Sequence, residues 1–257
     1  MNSIEEKIVG QVAIVTLNRP DKLNAMTDEM YARLTQLFTS YQTNDDVRAV
    51  IVTGAGRAFC SGSDVTTMVK TDLVAGRARM QTRHHMINAL VNLEKPVIAA
   101  VRGAAVGIGF SIAMACDLII ASDNAKFSQI FKKIGLIPDG GSIYFLVQRI
   151  GIARAKELVY TARMLLAKEA LEWGIVNHVV EDAQLDSRAM QLAEELAGSA
   201  TFAIALAKKM FQSMFVPTLE MHLEQENLCQ GIAKLTDDHL EGVAAFKEKR
   251  AAQFKGR

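Results

Sequence analysis

Apolar and polar positions alternate from Ile4 to Leu17 around a turn at Gly10, which predicts two paired strands, Glu5 to Val9 and Val12 to Leu17. The breaker-rich stretch Asn18 to Ala25 reads as a loop. Thr27 or Asp28 then suits the cap of an amphipathic helix running to about Tyr41. Val47 to Thr53 is a β-branched run ended by glycines, and Arg77 to Leu93 has helical spacing. Pro96 to Val101 reads as a buried strand, Ile112 to Cys116 as a helix and Leu118 to Ala121 as a further strand. Strand–helix alternation of this kind predicts an α/β fold with parallel strands and right-handed crossovers. Beyond Gly141 the pattern turns helical: Ile143–Arg149, Ala153–Thr161, Lys168–Trp173, Gln184–Ala197, Thr201–Met214, Leu219–Leu235 and Asp237–Gln253, with Val176–Val180 extended. Their apolar faces need the α/β core or a neighbouring subunit to cover them.

Composition changes this picture little. The 257 residues are 50% hydrophobic and 22% charged, with a net charge of +1, so no global field draws the chain to nucleic acid. Cys60, Cys116 and Cys229 stand apart, without metal-ligand spacing, which favours a reducing compartment and no metal. The N-terminus lacks a signal-peptide core. The apolar run Pro96–Ile120 is cut by Arg102 and glycines, so it reads as strand, turn and helix, and the chain is expected to be soluble and cytoplasmic with no membrane partner.

Two stretches carry candidate chemistry. Gly103-Ala-Ala-Val-Gly-Ile-Gly-Phe-Ser111 follows a strand and enters a helix, which offers unpaired backbone N–H groups to developing negative charge. Ile134-Gly-Leu-Ile-Pro-Asp-Gly-Gly-Ser142 sets one acid, Asp139, among apolar residues and glycines. Pro-Asp-Gly-Gly is also ordinary turn chemistry, and Asp139 equally suits a cap for a helix starting near Ser142. Cys60 reads as a small buried residue, and Trp173 before Gly174 as helix-end packing.

Taken together, Asn18–Met26 (NRPDKLNAM), Val52–Asp64 (VTGAGRAFCSGSD), Lys95–Gly109 (KPVIAAVRGAAVGIG), Ala115–Leu118, Ala170–Val176 and Glu241–Arg250 resemble the crotonase family, the enoyl-CoA hydratase/isomerase superfamily. The resemblance implies a spiral of ββα units over residues 1–198, a helical oligomerisation region over 199–257, and a homotrimer or dimer of trimers. It implies an acyl-CoA thioester as ligand, with coenzyme A part of the substrate and no separate cofactor. The oxyanion-hole amides fall on the backbone N–H of Ser63 and Ile108, where a thioester enolate would be held. The CoA contacts map to Lys22, Leu23, Asn24 and Ala25 and to Ser61, Ser63, Asp64 and Val65. Gly107 and Phe131 join the substrate- and CoA-binding positions, and Phe246 and Lys249 would reach the nucleotide, often from the neighbouring subunit.

Two glutamates do the work of hydration in this family, and their positions hold Ser111 and Phe131 here. Neither can do that acid/base work. Ser111 is given no role, and Phe131 is expected to dry the site. The acid that remains, Asp139, has the setting of the enoyl-CoA isomerase branch, including ring-forming isomerases of aromatic degradation. One carboxylate suffices for a 1,3-proton shift, and burial among Ile137, Phe131 and glycines would raise its pKa. The alternatives are a family member with little hydratase activity, a non-catalytic acyl-CoA-binding homologue, and an aryl-CoA dehalogenase. In the last, the catalytic histidine would fall on His84, but the tryptophan donor is replaced by Phe131. The acyl pocket is expected between residues 65–76 and the helix Arg77–Leu93.

Overall fold

The structure, a computed structural model, describes residues 2–67, 72–213 and 228–257. Strands β1 (Ile4–Val9), β2 (Val12–Leu17), β3 (Ala49–Gly54), β4 (Val97–Val101), β6 (Leu118–Ser122) and β9 (His178–Val180) form one sheet in that spatial order. The β1–β2 hairpin is antiparallel and every later pair is parallel, as the alternating pattern predicts. Period-2 alternation divides the sheet's side chains between two cores. Val50, Val52, Val97, Ala99 and Val101 join the larger one with helices α1 (Asp28–Tyr41), α2 (Leu73–Val91) and α3 (Ile108–Ala115). Ala49, Ile51, Ile98, Ala100 and Ile120 face the other way, onto Leu185, Ala189, Leu192 and Ala193 of helix α6 (Leu185–Ala197).

Thr27 caps α1 as expected, its hydroxyl accepting from the N–H of Met30. A second, three-stranded sheet was not foreseen. It consists of β5 (Ala104–Val106), β7 (Lys126–Ser128) and β8 (Leu165–Leu166). Strands of two or three residues leave no readable alternation, and β5 lies inside what reads as a glycine turn. For the same reason α3 begins at Ile108, four residues before the predicted start.

Helix α4 (Ser142–Thr161) is broken at Gly151, whose φ of 72° and ψ of 167° are non-helical, so the two predicted helices meet there. Helices α5 (Ala167–Glu172), α7 (Thr201–Ser213) and α8 (Asp237–Glu248) follow the sequence reading to within a few residues, except that α8 stops short of Gln253. Residues 228–233 are helical, whereas 214–227, which hold most of the predicted Leu219–Leu235 helix, lie outside the described residues. The C-terminal tail is clamped to this chain's own core. Arg48 Nη1 donates to Phe254 O at 2.9 Å and Nη2 to Ser199 O at 2.7 Å. The Asp238 carboxylate accepts the N–H groups of Lys255 and Gly256. No helix among the described residues is long and apolar enough to cross a membrane.

Candidate functional site

Two loops that follow β3 and β4 meet at the start of α3. Cys60 N–H donates to Ala104 O and Val106 N–H to Cys60 O, both at 2.9 Å, so the segment after β3 runs alongside β5. Gly109 makes the close approach possible: a Cβ there would overlap the Cys60 carbonyl oxygen and lie 2.9 Å from its sulfur. The Cα of Gly62 is 3.9 Å from where a Cβ would stand on Gly107, which brings Ser63 and Ile108 to neighbouring positions.

Both amides point away from the ladder. Met26 N–H donates to Gly62 O and Asp64 N–H to Met26 O, a register that leaves the Ser63 N–H outside it. Ile108 is the first residue of α3, where a helix's amides have no carbonyl one turn back. The Phe131 ring lies against Gly107, 3.7 Å from the same imagined Cβ, and is buried.

Asp139 approaches the same helix start from the turn before α4. Gly140, at φ 62°, is pressed onto Ile108 and Ser111: a Cβ would overlap the end of the Ile108 side chain and come within 3.0 Å of Ser111 Cβ. The Asp139 carbonyl oxygen lies 3.0 Å from Ser111 Oγ and 2.8 Å from Ser142 Oγ, and the two hydroxyl oxygens are 2.5 Å apart, so one hydroxyl donates to the carbonyl and the other to its fellow hydroxyl. Ser111 therefore anchors the turn that carries the acid, a role its sequence position did not reveal. The N–H of Ser142 also donates to this carbonyl, at 3.2 Å.

The acid is not alone, which corrects the expectation of a carboxylate among apolar residues. Arg83 Nη1 donates to Asp139 Oδ2 at 2.6 Å, with the two side chains 17% and 10% exposed. Ile137, expected to bury the acid, is 81% exposed. Burial still pushes the Asp139 carboxyl above its ordinary value, and the Arg83 guanidinium pulls it back by less. Arg83 lies 5.5 Å over the ring of Tyr31, whose hydroxyl is 3.2 Å from Ser63 Oγ. Burial also raises the Tyr31 phenol, so it stays protonated at neutral pH. His84 is exposed. A signal for Arg83 did exist: it sits three, four and seven residues before buried Met86, Ile87 and Leu90, an arginine on the apolar stripe of α2.

The loop expected to meet CoA is built by hydrogen bonds between distant segments. Leu23 and Asn24 take left-handed φ values of 48° and 56°. Asn24 Nδ2 donates to Ala55 O and Ala58 O, and Ser61 N–H to Leu23 O at 2.9 Å. Arg19 reaches Ala25 O at 2.5 Å and Asp64 Oδ2 at 2.8 Å. Asp64 Oδ1 accepts from the Thr66 N–H and hydroxyl. These Thr66 bonds, with Arg19, hold its carboxyl down to about 2. The Asp64 side chain is thus committed to holding loops together.

Lys22 and Val65 are exposed, and Ser61, Ser63 and Ala25 are half-buried beside them. Phe246 and Lys249 do not join this loop within the chain. Phe246, 86% exposed, borders a cavity of about 510 Å³ with Phe202, Ala203 and Phe254, and Lys249 is exposed at the end of α8. A second cavity, of about 650 Å³, opens between α4 and α7, and Asp139 does not line it.

A family model described as enoyl-CoA hydratase/isomerase matches residues 7–257. The 1,2-epoxyphenylacetyl-CoA isomerase of Escherichia coli K12 is 39% identical over the whole of both chains. The short-chain-enoyl-CoA hydratase of Clostridium acetobutylicum is 36% identical, with 100% of this chain and 99% of that one covered. The structure of an enoyl-CoA hydratase subunit I from Geobacillus kaustophilus HTA426 superposes with a TM-score of 0.95 at 36% identity, covering 100% and 99% of the two chains. Sequence motifs, backbone path and family model agree along the chain, which belongs to the enoyl-CoA hydratase/isomerase family and has the crotonase fold.

Proposed function

We propose that this chain is an acyl-CoA enzyme that isomerises rather than hydrates, moving the double bond of a 3-enoyl-CoA to the 2-position or carrying out a related ring-forming isomerisation. The observation that carries this reading is one acid, Asp139, its side chain 10% exposed, on the turn that packs directly on Ile108, while by the family resemblance Ser111 and Phe131 stand where the hydratase glutamates would be. In the reaction the C2–H bond breaks and its proton goes to Asp139. The electron pair spreads into the thioester carbonyl as a dienolate, which the N–H groups of Ser63 and Ile108 stabilise. The proton then returns at C4. Preorganised donors of this kind contribute about 3–4 kcal/mol each in other enzymes. Hydration would need a second acid/base group to activate water, and Ser111 is occupied with the Asp139 carbonyl.

The 39% identity to an isomerase supports the reading, and the hydratase and dehydratase names among other relatives define its rival. The test is a comparison of wild type with Asp139→Asn on a 3-enoyl-CoA and on crotonyl-CoA. The wild type is expected to isomerise the first and leave the second nearly untouched. The variant is expected to lose isomerisation by about 10²–10⁴-fold. Rapid hydration of crotonyl-CoA, or an unimpaired variant, overturns the proposal.

A further inference from the structure

We infer that Arg83 is the positioning residue of this site: its guanidinium ties down Oδ2 of Asp139 and leaves Oδ1 as the oxygen that meets the substrate proton. The inference rests on Asp139 being the acid/base and adds which oxygen works and what aims it. The turn's backbone is held by Ser111 and Ser142, but those bonds end at the carbonyl and do not set the rotation of the side chain. Among the described residues the one side chain that reaches the carboxylate is Arg83, at 2.6 Å on Oδ2, while Oδ1 is buried with no hydrogen-bond partner. A buried carboxylate oxygen left bare is costly unless a ligand uses it.

Arg83 is itself fixed. The Tyr31 ring lies beneath it, Met80 Sδ is 3.9 Å from Nη1, and Tyr31 is bonded to Ser63. The guanidinium therefore spans the acid and the loop that carries the first oxyanion amide. The contact to Asp139 is a single bond from Nη1, and the planar guanidinium held over Tyr31 sets its angle as well as supplying a charge.

The arrangement also sets the charge. A carboxyl this deeply buried takes a proton more readily than one in water, and a guanidinium in contact opposes that. The other titratable groups facing it are few: His84 on α2, exposed, and Tyr31 on α1, protonated; Lys132 and Lys133 on the preceding turn are exposed. Helices α3 and α4 contribute the uncharged Ser111 and Ser142. Arg83 is the one group among them in direct contact, so it is the main counterweight to the burial that favours the protonated acid.

The experiment compares wild type, Arg83→Gln and Arg83→Lys. It records kcat/KM for a 3-enoyl-CoA against pH, together with a carbon-13 NMR titration of the aspartate carboxyl groups. Arg83→Gln is expected to move the acidic limb up by about 1–3 pH units, costing about tenfold per unit at pH values on the acid side of the limb and recovering as pH rises. The NMR titration of Asp139 should move with it. Arg83→Lys keeps the charge and loses the planar group over Tyr31. Its limb should stay within about half a unit of wild type while kcat falls several-fold at unchanged KM.

An unmoved limb and titration in Arg83→Gln, or a loss of kcat equal at every pH, overturns the inference. If Arg83→Gln does not fold, Arg83→Lys decides: a rise in KM with kcat intact contradicts the role. Failure of the isomerase reading looks different. Asp139→Asn would then turn over like wild type, or no isomerisation would occur, while the NMR titration would still report whether Arg83 governs Asp139.

Discussion

The two sides of the site are built from different materials. The amide side, Ser63 and Ile108, is all backbone, and what places it is the bare surface of Gly62, Gly107 and Gly109 against each other and against Cys60. The acid side is all side chain: Asp139 is anchored by Ser111 and Ser142 through its carbonyl and by Arg83 through its carboxylate. Backbone donors placed by close packing have one position and no rotamers, which suits a group that must wait for charge. A side-chain acid must be aimed and kept ionised, so it needs partners, and besides the neighbouring Ser142 these come from α2 and α3, far away in sequence. The amide side should fail by misfolding and the acid side by mistuning.

Substitutions that separate these failures can be ranked. The largest effect is expected from Gly109→Val, which forces side-chain atoms into the Cys60 carbonyl. Overpacking there should destabilise the fold by about 3 kcal/mol and, in whatever folds, cut isomerisation by about 10²–10³-fold, measured by denaturant melts and kcat.

Asp64→Asn should follow, since it removes the Arg19 ion pair that holds the Ser63 loop, at a cost of about 2 kcal/mol. This change carries a pH signature. The folded carboxyl lies near 2, below its ordinary 3.8, so its contribution is complete above the ordinary value and is lost as pH falls from there towards 2. Melting temperature should drop more steeply over that window in wild type than in Asp64→Asn, and equal slopes would remove Asp64 from the account.

Ser111→Ala should be the mildest. Ser142 still donates to the Asp139 carbonyl, so about 1 kcal/mol of stability and a few-fold in kcat are expected, without a change in pH profile. A large loss there would mean that Ser111 takes part in chemistry.

The same division explains what could be read in the sequence. Glycine spacing, strand alternation and the Thr27 cap are local signals, and they placed β1 to β4, α1 and the α3 turn close to where they lie. The small β5–β7–β8 sheet escaped because two or three residues per strand carry no period, and its paired residues are 22 apart between β5 and β7 and 38 or 40 apart between β7 and β8. Arg83 escaped because its partner lies 56 residues away across the chain. Only its place on an apolar stripe hinted at a buried charge. Ser111 escaped for a different reason: at a position known for a carboxylate, a serine looks like loss, and its bond to the Asp139 carbonyl is visible only once Gly140 is seen packed on α3.

The proposed isomerisation requires that one largely buried carboxylate beside two amides carry one proton along the acyl chain. The direct measurement uses a 3-enoyl-CoA deuterated at C2, turned over once in ordinary water, with the product read by mass spectrometry and NMR. A carboxylate only 10% exposed should return much of the label to C4 before solvent exchanges it, and Asp139→Asn should abolish the transfer. Product whose C4 hydrogen comes wholly from solvent, or label transfer that persists without the Asp139 carboxylate, would contradict the account.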